Sequence, residues 1–110
     1  MEGLAKELIK KINRVSVDFY YFRDQTVVEK GKSLLPDIQH FASNVLQMLE
    51  GEGDAEEYIQ LKNYILQVLN DYMEAIDHRD MVLIIDTLDV GLREVLNLFV
   101  EEENGENGNE

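Results

Sequence analysis

The side chains able to do chemistry are few and poorly grouped. The chain has two histidines, His40 and His78, and no cysteine. Thiolate nucleophiles, disulfides and thiolate metal sites are therefore excluded. Helical bundles that carry two metal ions need Glu-x-x-His pairs, and no such pair occurs. Asp77, His78 and Asp80 sit close together, but a helix end followed by an N-cap accounts for all three. Ser16, Ser33 and Ser43 lack the Gly-x-Ser-x-Gly setting of an activated serine. Gly51-Glu52-Gly53 puts a carboxylate where a phosphate loop would need backbone donors. It also lacks the alternating Asp/Asn ligands of a calcium loop. No metal, no cofactor and no enzymatic activity is expected.

One histidine invites a specific alternative. His40 falls on a polar helix face, as the phosphorylated histidine of a phosphotransfer domain does. In such domains a lysine and a glycine follow the histidine and let the partner approach. Phe41, Ala42, Ser43 and Asn44 follow it here. An exposed surface histidine is the simpler reading, and phosphotransfer through His40 stands as a second alternative.

The residues left over after core assignment point to binding. Phe19, Tyr20, Tyr21 and Phe22 are consecutive, so they cover all sides of a helix. Phe19 and Phe22 are in phase with the apolar stripe; Tyr20 and Tyr21 are not. Val17 and Val82 also fall off their stripes. Asp86 and Asp89 share an outer face with Val82 and Arg93 by helical phase, where Asp89 and Arg93 form an i, i+4 pair. The expected interaction surface is Val17, Tyr20, Tyr21, Val82, Asp86 and Asp89, since tyrosine is favoured where proteins meet.

Charge narrows the partner. The net charge is −13, and it is uneven: residues 1–32 sum to +2 and the remainder to −15. Such an acidic surface repels phosphate backbones and anionic membranes. Nucleic acid and membrane are therefore not expected partners. A second protein, basic in character, or a second copy of this chain is. No apolar run approaches the roughly 18 residues of a membrane span. The first residues enter an amphipathic pattern directly, without the apolar stretch of a signal peptide, so a cytoplasmic location is expected.

Four apolar stripes with steps of three or four residues must position these groups. They are Leu4-Leu8-Ile12-Val15-Phe19-Phe22, then Val27-Gly31-Leu34-Ile38-Phe41-Val45-Leu49, then Tyr58-Leu61-Ile65-Val68-Tyr72-Ile76, and finally Met81-Ile84-Leu88-Leu92-Val95-Phe99. They predict helices over about 3–23, 26–49, 55–77 and 81–102. The second contains Pro36. The apolar phase runs across it without a slip, which predicts one helix bent at Pro36; a break near residues 33–35 is the competing reading. Asp54 with Glu57 resembles a capping box, and Asp80 is the natural N-cap of the last helix. Matched lengths and short connections make this an all-α, up-down-up-down antiparallel four-helix bundle over residues 1–103. Residues 104–110, acidic and without an apolar side chain, are expected to be a disordered tail.

The segment from Met73 to Leu96 has the features of a particular helical hairpin. These are a helix end containing Ala75, an aspartate (Asp80) after a tight turn, and a leucine-rich run carrying Asp86 and Asp89. It resembles the C-terminal hairpin of small all-helical proteins from clostridia and bacilli. The resemblance covers about a quarter of the chain and implies a small bacterial helical protein, with no activity and no catalytic residue to carry over. The expectation for function is a non-enzymatic protein–protein interaction module, an adaptor or chaperone-like bundle. A homodimeric structural helical protein is the alternative.

Overall fold

A computed structural model describes residues 2–51 and 55–108, with side chains as far as Val100. The first three helices are α1 (Glu2–Phe22), α2 (Val27–Gly51) and α3 (Glu56–Asp77). The fourth rod has three parts: α4 (Met81–Asp86), a π-helical turn (Thr87–Leu92) and α5 (Arg93–Gly108). Successive rods pack side by side, and α1 closes the ring against α5. The result is the expected antiparallel four-helix bundle. The Asp54 cap lies outside the described residues, as do the side chains of the expected tail.

The core is the four stripes turned inward. All seven positions of the second stripe, from Val27 to Leu49, are buried. Ile65, Val68, Tyr72 and Ile76 line it from α3, and Ile84, Leu88, Leu92 and Val95 from the fourth rod. Phe41 of α2 meets Phe99 of α5 edge to face, ring centres 5.5 Å apart, the favoured aromatic geometry. One residue of the first stripe departs from its phase. Phe22 is 73% exposed, because α1 ends there and no further turn holds its ring over the core.

Two close approaches set the distances between rods. Tyr72 is fully buried and its hydroxyl donates to the Gly31 carbonyl at 2.7 Å. A Cβ on Gly31 would stand 3.1 Å from that hydroxyl and 3.3 Å from Ile84 Cγ2, so a larger residue would push its neighbours aside by a few tenths of an ångström where α2, α3 and α4 converge. Burial pushes the Tyr72 hydroxyl well above the usual phenol range. Gly91 plays a similar part between α3 and the π turn, with Val68 Cγ2 only 3.3 Å from where its Cβ would be.

The helix α2 runs unbroken through Pro36. The proline is exposed, so the amide it lacks leaves the Lys32 carbonyl on the solvent side, where water can serve it. One turn earlier, Ser33 Oγ donates to the Glu29 carbonyl at 3.1 Å, a back-bond that accompanies helix bending.

The connections are specified by caps. Between α1 and α2, Asp24 Oδ1 accepts from the Thr26 amide at 2.8 Å and from the Thr26 hydroxyl at 2.6 Å. Lys30 then ties Asp24 to Asp18 of α1. These donors, Lys30 first and Thr26 second, lower the Asp24 carboxyl to about 2. Between α3 and α4 the chain turns with Arg79 at φ 53°. The Asp80 amide donates to the Ala75 carbonyl and the Arg79 amide to that of Ile76, both at 3.0 Å. This is a Schellman turn with arginine in the place glycine usually takes. Asp80 then caps α4 as expected, accepting from the Leu83 amide at 3.1 Å.

Candidate functional site

The C-terminal half of α1 lies along the fourth rod, and a shallow depression opens between them. It is lined by Asn13, Ser16, Val17, Tyr20, Tyr21, Asp89 and Arg93. Four of the six residues expected to form the interaction surface therefore meet in one place: Val17, Tyr20, Tyr21 and Asp89. Val82 and Asp86 are exposed on α4 but do not line it.

Helical phase put Asp89 on a solvated outer face beside Asp86. The π-helical turn changes this. Its wider turn alters the phase of the side chains it carries, and Asp89 is only 26% exposed against α1. Asp89 Oδ1 accepts from Ser16 Oγ at 2.7 Å and from Arg93 at 3.1 Å. The Arg93 guanidinium also donates to Asn13 Oδ1 at 2.6 Å. The expected Asp89–Arg93 pair is thus present, and it belongs to a four-residue network joining two rods rather than to an isolated surface pair.

Ser16 was not singled out by its sequence context, yet it is 8% exposed. The available signal is its place next to Val15 on the apolar stripe, where a hydroxyl must find a partner. Thr87, equally buried, finds one within its own helix, donating to the Leu83 carbonyl at 2.8 Å.

Beside this polar strip the aromatic end of α1 is open to solvent. Val17 is 43% exposed, Tyr20 63% and Tyr21 78%; with Phe22 they form the most exposed apolar run on the described surface. Tyr20 leans on Phe19, ring centres 5.2 Å apart at 69°. Val82, Leu83 and Val90 add exposed apolar side chains on the fourth rod.

The remaining chemistry candidates are dispersed. His40 is exposed on α2. His78 follows α3, its Nδ1 2.9 Å from the Glu74 carbonyl. Among the described residues no three or more His, Cys, Asp or Glu side chains gather where an ion could be held. None of the described helices is long and apolar enough to cross a membrane.

The fold and surface define an all-helical, four-helix bundle with an aromatic and polar groove beside a π-helical turn. No protein family matches the chain, and neither does any curated protein or solved structure.

Proposed function

We propose that this bundle is a non-enzymatic protein–protein interaction module, an adaptor or chaperone-like protein of the cytoplasm, which receives its partner on the α1 side of the fourth rod. The observation that carries this reading is the exposure of Val17, Tyr20, Tyr21 and Phe22 beside the ordered Ser16–Asp89–Arg93–Asn13 network. Large apolar side chains left together in water mark places where proteins meet. Tyrosine supplies contact area at low entropic cost and a polar tip for the rim. The network supports the reading from the other side, since it holds polar groups of the groove in fixed positions before any partner arrives.

The partner fits best as a basic helical segment with an apolar stripe. Asp80, Asp86 and Asp89 lie along the first part of the fourth rod, where Arg93 is the one cation of that rod, so a cationic partner is steered there. The test is affinity capture from the native host with the wild-type chain and with a Tyr20→Ala, Tyr21→Ala double variant. A specific partner held by the first and lost by the second supports the proposal. Identical recovery by both, or no specific partner with the wild type, defeats it.

A further inference from the structure

A different face of the bundle is distinguished by what it lacks. Charged residues make up 30% of the chain, yet residues 38–49 of α2 contain no Asp, Glu, Lys or Arg at all. Residues 58–70 of α3 contain one, Lys62. These two stretches belong to neighbouring rods of the bundle. Over these stretches one side of a molecule with net charge −13 is almost without charge, and Asp71, Glu74 and Asp77 follow only at the Met73 end.

The same side carries an apolar stripe that the core does not use. Ile59, Leu66 and Met73 are spaced by seven residues on α3, and they are 45%, 50% and 48% exposed. Seven-residue spacing is the repeat with which one helix packs along another. The stripe is symmetric about Leu66. If a second α3 runs antiparallel across a two-fold axis there, Leu66 meets its own copy and Ile59 meets Met73 twice. Charge follows the same symmetry. Lys32 of α2 lines the depression that holds Met73, together with Asp77 and Arg79, and Glu56 lies one turn before Ile59. The pairing of Met73 with Ile59 brings this depression, two cations against one carboxylate, toward Glu56 of the other copy, again twice.

We propose that two copies of this chain associate through this face, α3 against α3, on a two-fold axis at Leu66. Two acidic molecules repel wherever their charged surfaces approach, and the repulsion reaches about 10 Å at ordinary salt. The α2/α3 side is where contact costs least. An isologous contact needs a self-complementary patch, which the symmetric stripe and the Lys32–Glu56 pairing supply. The α1 groove stays open in such a dimer, so the inference is independent of the proposed partner site.

Sedimentation equilibrium over about 10 µM to 1 mM tests it. The wild type is expected to approach twice its 12.7 kDa mass, and to associate more tightly as salt rises, because salt screens the repulsion between copies. Leu66→Glu places two carboxylates on the axis and is expected to raise the dimer Kd by at least about 100-fold. Leu66 is half exposed, so the variant keeps its helical circular dichroism. Lys32→Glu weakens the dimer, and Lys32→Glu with Glu56→Lys restores it. A wild type that stays monomeric at 1 mM overturns the proposal. So does an unchanged Kd for Leu66→Glu, a double charge swap as weak as the single one, or loss of the dimer on Tyr20→Ala, Tyr21→Ala.

Discussion

Removing the Ser16–Asp89 contact should cost more than either side chain suggests alone, and the cost should be shared between the two positions. Ser16 is nearly buried and Asp89 is about one quarter exposed. Their 2.7 Å bond is the shortest link between α1 and the π turn in the network. Asp89→Ala leaves a buried hydroxyl without its acceptor and takes one of two acceptors from Arg93. An orphaned buried donor costs about 1–3 kcal/mol, and the loss for Arg93 is smaller because Asn13 remains. The expected loss is about 2 kcal/mol. Ser16→Ala removes the donor and leaves Asp89 paired with Arg93, for an expected loss of about 1 kcal/mol. In the double variant the orphaned hydroxyl no longer exists, so the losses should not add. Urea unfolding of the four proteins measures the coupling, expected at about 1 kcal/mol. Additivity within about 0.3 kcal/mol would mean that the two side chains do not hold each other, and that they do not order the groove.

The turns offer two further measurements. Arg79 occupies the left-handed region that glycine favours, a strain of about 1–2 kcal/mol for a residue with a Cβ. Arg79→Gly should stabilise the protein by about 0.5–1 kcal/mol, after the greater freedom of glycine in the unfolded chain is offset. Its pair with Glu29 is more than half exposed on both sides and loses little; a fall in thermal midpoint would refute this account. Asp24 has its folded carboxyl depressed to about 2, below the usual 3.9 or so of the unfolded chain. Its contribution is therefore complete above about pH 4 and disappears as pH falls through about 2. A carboxyl carbon titration by NMR with a midpoint near 4 would show that Lys30 and Thr26 do not hold it.

The architecture was legible because burial and helical period agree almost everywhere. The second stripe is buried at every position, and Asp80 caps the last helix where the sequence put it. Pro36 was readable for the same reason. Its neighbours keep phase, so a proline on the wet side could be accommodated without ending the helix. The aromatic end of α1 was read in part. Tyr20 and Tyr21 are exposed as their phase demands, but Phe22 follows them outward because stripes say nothing about where a helix stops. The left-handed turn at Arg79 has no sequence signal, because no residue type announces such a turn when it is not glycine or asparagine. The Ser16–Asp89 bond spans 73 positions of sequence, and local pattern carries no information about such a pairing.

The π turn had a signature, and that signature explains the groove. Ile84, Leu88, Leu92, Leu96 and Val100 recur at every fourth position, and all five are buried. A regular α-helix advances by about 40° beyond a full circle with each four residues. Four such steps carry the last residue about 160° from the first, toward the opposite side of the rod. A straight α-helix therefore cannot bury all five on one side. The rod needs a stretch that turns less per residue, and the π turn at Thr87–Leu92 provides it. A shift that keeps Leu96 and Val100 on the core necessarily moves the side chains between them and α4. Asp89 sits within that stretch, about three-quarters withdrawn from solvent, where it reaches Ser16 across the rods. The polar floor of the groove beside Tyr20 and Tyr21 is in this sense a consequence of how the last helix satisfies its own apolar repeat.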